Sequence, residues 1–104
     1  MNSYKVLMTE PAANDLLGIA HYITDELRAP AGASRLVVKI REAVMSLSKL
    51  PTRHPLVADE RLALQGIRKI PVDNYIIFYL ISQMDETVTV IRILNGSRNW
   101  VNLL

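Results

Sequence analysis

Cysteine is absent from this 104-residue chain, and its absence excludes several kinds of chemistry at once. Without thiols the chain can form no disulfide, no thiolate nucleophile and no cysteine-ligated zinc site. Its two histidines, His21 and His54, are far apart in sequence, and neither has a second histidine at ligand spacing. We therefore expect neither a metal site nor a cofactor.

Long apolar runs and a large excess of one charge are also missing. The longest apolar run, residues 75–81, is far shorter than the roughly 18 residues that a membrane-spanning helix needs. The first residues also lack the charged and apolar regions of a secretory signal. We accordingly expect a cytoplasmic protein with no membrane partner. Twelve basic residues stand against ten acidic ones, and a net charge of +2 is too small to indicate nucleic-acid binding.

The common enzyme motifs are absent as well, including the phosphate-binding loop, the GxSxG elbow and the HExxH zinc motif. What the chain does have is a hydrophobic content of 50%, which is enough for one real core. No repeat or linker divides it. The sequence therefore predicts a single domain over residues 1–104.

Helical periodicity dominates the first half. Thr9 is a good N-cap, Pro11 suits a first turn, and apolar residues then recur on one stripe. A second stripe predicts a helix from Ala33 to Leu50, ended by Pro51. We expect an antiparallel helical hairpin with a shared apolar face. Its predicted core residues are Leu16, Ile19, Ile23, Leu36, Val37, Ile40, Val44 and Leu47.

Strand-like segments surround this hairpin in the sequence. They cover residues 5–8, 66–70, 75–81 and 87–94, and residues 52–65 form a loop with a helical turn at 59–64. Residues 75–80 are apolar at every position, which predicts a central strand beneath the hairpin. The expected fold class is α+β in the order β-α-α-β-β-β, with the hairpin packed on a small, mostly antiparallel sheet.

Arginines are the main candidates for function in the second half. Arg68 and Arg92 interrupt predicted strands, and Arg98 follows the last strand at an exposed turn, so the three could together bind an anion. Strand alternation predicts that Arg92 shares one face of its strand with three apolar residues, Val88, Val90 and Leu94. An alternative for Arg92 is a structural ion pair, for which the candidate partners are Asp73, Asp85 and Glu86.

Two other side chains, Tyr79 and His54, remain open to two interpretations. Tyr79 shares a face with Tyr75 and either carries its hydroxyl to a site or belongs to the core. His54 is either a proton shuttle or an ordinary loop histidine. The tail from Trp100 to Leu104 is apolar and is expected to be exposed.

Several segments resemble the RelE/ParE toxin superfamily. They are TEPAANDLLGIAHYI at 9–23, the Leu47–Pro51 helix end, GIRKI at 66–70, NYIIFY at 74–79, and VIRIL at 90–94 followed by Arg98. The resemblance covers nearly the whole chain and implies the same strand and helix order. It also implies a toxin of a type II toxin–antitoxin pair, neutralised by a small cognate antitoxin. We expect an acidic amphipathic antitoxin segment to bind as a helix in a groove or as a strand on the edge at residues 5–8.

Two activities occur in that superfamily, and the resemblance implies one of them. RelE-like members cut mRNA on the ribosome without a metal. If this chain did the same, its catalytic residues would be Arg68, Arg92 and Arg98. ParE-like members instead inhibit DNA gyrase, and Asn95, where many relatives have histidine, favours that branch. An inactive, antitoxin-binding family member is the third alternative. The candidate binding residues are Arg68, Lys69, Tyr79, Arg92, Arg98 and Trp100.

Overall fold

Two long helices pack on a four-stranded sheet in the computed structural model, which describes residues 3–104. The strands are β1 (Lys5–Met8), β2 (Arg68–Val72), β3 (Tyr75–Ser82) and β4 (Thr87–Asn95), and the helices are α1 (Glu10–His21), α2 (Pro30–Ser46) and α3 (Glu60–Leu64). This order confirms the predicted α+β class. None of the helices in the described part of the chain is long and apolar enough to cross a membrane.

The sheet has the order β1-β4-β3-β2, in which only the β1–β4 pair is parallel. Strand β2 begins two residues later than predicted and continues through Pro71, which the sequence analysis did not place in a strand. Proline lacks the N–H that an interior strand must donate, but β2 lies at the edge of the sheet and tolerates it. The edge position therefore explains how β2 continues through Pro71.

Helix α1 begins as its sequence signals indicate, whereas both ends of α2 differ from prediction. The Thr9 hydroxyl accepts a hydrogen bond from the Ala12 N–H at 3.1 Å and caps α1. Helix α2 begins at Pro30 rather than Ala33, since proline fits a first helical turn. It ends at Ser46, before the predicted last residue Leu50, whose φ of 47° no α-helix accommodates and whose side chain is exposed.

The main core lies between the hairpin and one face of the sheet. The predicted helical residues that are buried there are Ile19, Leu36, Ile40, Val44 and Leu47. Leu16 and Ile23 pack at the margin of this cluster, whereas Val37 is partly exposed and does not belong to it. The buried stripe of α2 is therefore narrower than the sequence pattern suggests.

A second apolar cluster covers the opposite face of the sheet. It contains Phe78 and Leu94 from the sheet and Leu62 from α3, and the C-terminal tail packs against it. Two expectations are corrected here. Alternate residues of β3, such as Phe78, face away from the hairpin rather than beneath it. The tail from Trp100 to Leu104 is half-buried rather than exposed.

Candidate functional site

A bulge in β4 decides which side Arg92 occupies. Phe78 pairs with Arg92, but the next residue, Tyr79, pairs with Val90, so Ile91 is an extra residue in β4. The insertion shifts the alternation by one position. Arg92 therefore lies on the same face of the sheet as Phe78, and Val90 lies on the other face. The prediction that Arg92 shares a face with Val88 and Val90 is wrong.

All three nitrogens of the Arg92 guanidinium donate hydrogen bonds inside the protein. It donates to both carboxylate oxygens of Asp15, from Nε at 2.7 Å and from Nη2 at 2.9 Å, and Nη1 donates to the Leu103 carbonyl at 3.2 Å. The side-chain hydrogen bond to Asp15 raises the pKa of Arg92, so the group stays charged. Arg92 thereby joins α1, β4 and the tail.

Asp15 takes the place of the partners that the sequence suggested for Arg92, which were Asp73, Asp85 and Glu86. Strand β1 ends opposite Val90, which leaves the remaining edge of β4 without a paired strand. Helix α1 fills this edge, and Asp15 accepts a further hydrogen bond from the Ile93 N–H at 3.0 Å. The correct partner depends on where β1 stops, which sequence spacing does not reveal.

Arg68 lies on the other face of the sheet. It is paired with Tyr79 on the hairpin side, and its Nη1 donates to the backbone carbonyls of Thr52 at 3.3 Å and His54 at 2.6 Å. Lys69 is paired with Phe78 and therefore shares the face of Arg92. Arg68 and Arg92 do not converge on one surface.

Two aromatic candidates belong to the core. Tyr79 is 0% exposed and donates its hydroxyl to the Pro51 carbonyl at 2.6 Å. Burial raises the pKa of Tyr79, and the nearby Arg68 and Arg53 only partly oppose this shift. Trp100 stacks at a tilt on Phe78, with ring centroids 5.0 Å apart. Tyr79 thus offers no surface to a ligand, and Trp100 offers only its exposed part.

His54 lies in the loop that Arg68 holds. Its ring meets Tyr79 edge-on at 6.4 Å, and its Nε2 is buried with no hydrogen-bond partner among residues 3–104. Burial lowers the pKa of His54, and the positive charge of Arg53 adds to this effect. The imidazole is therefore neutral at pH 7 in the folded protein.

We expect acid to destabilise the protein through His54. In the unfolded chain this histidine takes up a proton near its ordinary pKa of about 6.5, but the folded protein binds that proton only at lower pH. The unfolded state then holds more protons, so the free energy of unfolding decreases as the pH falls from 7.5 to 5. Urea denaturation across this range should show a smaller slope for His54→Phe than for the wild type. Equal slopes would contradict the buried neutral state.

Arg98 is the one predicted arginine that remains exposed to a ligand. No hydrogen bond or ion pair engages its guanidinium within the described part of the chain. It lines a cleft of about 250 Å³ together with Asn14, Gly18, Tyr22, Tyr75, Ile93 and Asn95, among others. The same residues 3–104 contain no cluster of three or more potential metal ligands.

The sequence analysis missed the cleft because an irregular segment builds one wall. Residues Tyr22–Glu26 form a π-helical turn after α1, in which the Leu27 N–H donates to the Tyr22 carbonyl at 3.2 Å. Arg28 then adopts a φ of 51° and redirects the chain toward α2. Isolated π turns often occur at functional sites, although the apolar pattern of α1 runs through this one without a break.

The architecture defines a small α+β protein with a helical hairpin, an open sheet edge and no metal centre among residues 3–104. The family model described as ParE toxin of type II toxin–antitoxin system, parDE, matches residues 6–100. The chain belongs to this ParE toxin family. No curated protein matches the sequence.

Two solved structures show the same fold. A chain of the chromosomal ParDE system from P. aeruginosa is 22% identical, with a TM-score of 0.70 over 89% of this chain and 96% of that one. A chain of the RelBE2 toxin–antitoxin complex from Mycobacterium tuberculosis is 21% identical, with a TM-score of 0.68 over 94% and 97%. The match to the family model confirms the resemblance to the RelE/ParE superfamily, and these structures show the shared fold.

Proposed function

We propose that this protein inhibits growth by binding DNA gyrase and that a cognate antitoxin neutralises it. The observation that carries this proposal is that Arg68 and Arg92 form structural contacts inside the protein. Arg92 is bound to Asp15, Arg68 is bound to backbone carbonyls, and the two lie on opposite faces. A metal-free ribonuclease instead needs several polar groups converging on one phosphate.

Neither of the acid–base candidates contradicts a binding function. The Tyr79 hydroxyl is buried against Pro51, and the His54 Nε2 is enclosed. Asn95 accepts hydrogen bonds from the Ser97 N–H at 2.9 Å and the Ser97 hydroxyl at 2.7 Å, and its amide cannot act as a general acid or base near neutral pH. These arrangements favour inhibition through protein contact over RNA cleavage.

The antitoxin is assigned to the groove between β1 and α2, which we call the β1–α2 groove. Its volume is about 340 Å³ and its lining is mostly apolar, with Leu7 and Met45 exposed and Arg41 at the rim. Strand β1 pairs only with β4 among the described strands, so its other edge has free backbone groups. An acidic amphipathic segment matches both features, because it can add main-chain hydrogen bonds and bury an apolar face.

Purified protein should inhibit plasmid supercoiling by gyrase, and the antitoxin encoded beside the gene should restore it. The same protein should leave mRNA intact on translating ribosomes. Cleaved mRNA with normal supercoiling would instead establish the RelE-like alternative, and a folded protein without either effect would establish an inactive antitoxin-binding member.

Arg68→Ala and Arg92→Ala should act mainly on the melting temperature, whereas Arg98→Ala should reduce growth inhibition at unchanged stability.

A further inference from the structure

Three clefts of the structure adjoin one another at one end of the sheet. They occupy about 520, 410 and 250 Å³, and Tyr75 and Asn95 line all three. They lie where the turn between β2 and β3, the end of β4 and the π-helical turn meet. We call this combined surface the end cleft. It is separate from the β1–α2 groove, whose lining residues come from β1, α1 and the second half of α2.

The chemistry of the end cleft suits a polypeptide. Asn14 and Asn74 carry amides that both donate and accept hydrogen bonds, as a peptide backbone does. Asn95 adds an amide NH2 donor, since its Oδ1 already accepts from Ser97. Tyr22 is 52% exposed and Tyr75 is half-buried, so both offer flat apolar surface with a polar tip. Such a combination of rigid aromatics and adaptable amides is common in protein-binding surfaces.

The charges of the end cleft define the partner further. Asp15 is neutralised by Arg92, and Asp73 is paired with Lys39 at 3.3 Å. Among the described residues that line the end cleft, Arg98 carries the one charge without a partner. A single cation favours one carboxylate, whereas binding of a nucleic acid requires contacts to several phosphates.

Gly18 supplies an independent observation. It lies within α1 and lines the end cleft, although glycine destabilises a helix interior relative to alanine. A Cβ built on Gly18 would meet no atom within 4 Å, so no contact inside the protein requires glycine there. The missing side chain leaves room for another backbone to approach α1 closely.

We propose that the end cleft binds an acid-bearing, extended segment of the protein that this toxin inhibits. A carboxylate of that segment meets Arg98, and its backbone passes over Gly18 between Tyr22 and Tyr75. The proposal rests on the proposed inhibition of gyrase. It adds that target and antitoxin contact different surfaces.

The test compares supercoiling inhibition by Gly18→Phe and Arg98→Glu with inhibition by Leu64→Phe and Arg61→Glu. The two control residues are exposed on α3, away from the end cleft, and receive the same new side chains. We expect the cleft variants to need about 10-fold or more protein for half-inhibition, since each removes an anchor or blocks the approach. The controls should match the wild type. Thermal melts of all four establish that they are folded, and the exposed Arg98→Glu keeps the test valid if Gly18→Phe unfolds.

Antitoxin affinity measured on the same variants completes the test, and we expect it to be unchanged. Folded cleft variants that inhibit gyrase like the wild type would overturn the end-cleft proposal alone. Variants that lose antitoxin binding yet still inhibit gyrase would also overturn it, because the cleft would then belong to the antitoxin. A wild-type protein that does not inhibit gyrase would overturn the proposed function, and this proposal with it.

Discussion

Replacing Leu47 by alanine should lower the free energy of unfolding by about 2–5 kcal/mol. Leu47 is 0% exposed and packs in the main core, where the end of α2 meets the sheet. Truncation removes its apolar contacts and leaves a cavity that the surrounding side chains fill only in part. The loss is large for a domain of 104 residues, since total stabilities are typically about 5–15 kcal/mol.

The measurement is urea denaturation followed by circular dichroism, with Met45→Ala as the matched control. Met45 lies two residues away near the end of the same helix, but it is 60% exposed. Its truncation should change the stability by less than about 1 kcal/mol. If the two variants were equally stable, the assignment of Leu47 to the core would be wrong.

Replacing Asp15 by alanine should cost about 3 kcal/mol, because one carboxylate serves two partners. The side chain of Asp15 is only 14% exposed, and its loss leaves the Arg92 guanidinium and the Ile93 N–H without their acceptor. Arg92 would then hold the Leu103 carbonyl less firmly. We therefore expect both a lower melting temperature and a looser C-terminal tail.

Trp100 reports on the tail directly, since it is the only tryptophan in the sequence and it packs on Phe78. Its emission should shift to longer wavelength in Asp15→Ala before global unfolding. The control is Lys39→Ala, which breaks the ion pair with Asp73 and leaves the left-handed backbone at Asp73 unchanged. Both side chains of that pair are at least half exposed, so its loss should cost less than about 1 kcal/mol. If the two substitutions changed the melting temperature and the Trp100 emission equally, Asp15 would not hold the tail in place.

Local sequence rules predicted the elements of this fold because each element follows from short-range physics. The apolar stripe of α1 and the Thr9 cap need only the helical period and the geometry of a first turn. The seven apolar residues at 75–81 indicated a strand covered on both faces, and both apolar clusters contact it. Errors arose at ends, as in α2, which ends at Ser46 while the predicted last residue, Leu50, has a left-handed backbone.

The candidate site could not be predicted in the same way. One extra residue at Ile91 reversed the side of β4 on which Arg92 lies, and only the pairing of two strands locates such a bulge. The partner of Arg92 is 77 residues away in α1, so no spacing rule reaches it. Tyr79 shows the same limit, since its hydroxyl meets a carbonyl 28 residues distant.

Four properties could be derived from the sequence, namely the class of the protein, the helical hairpin, the order of helices and strands along the chain, and the membership of a toxin superfamily. Each of these depends on periodicity, capping or residue order, which act within a few turns of chain. Tertiary structure alone decided which arginines are free. Arg68 and Arg92 became structural because strand register and the early end of β1 placed acceptors beside them. Arg98 lies beyond β4, and no acceptor among residues 3–104 reaches its guanidinium.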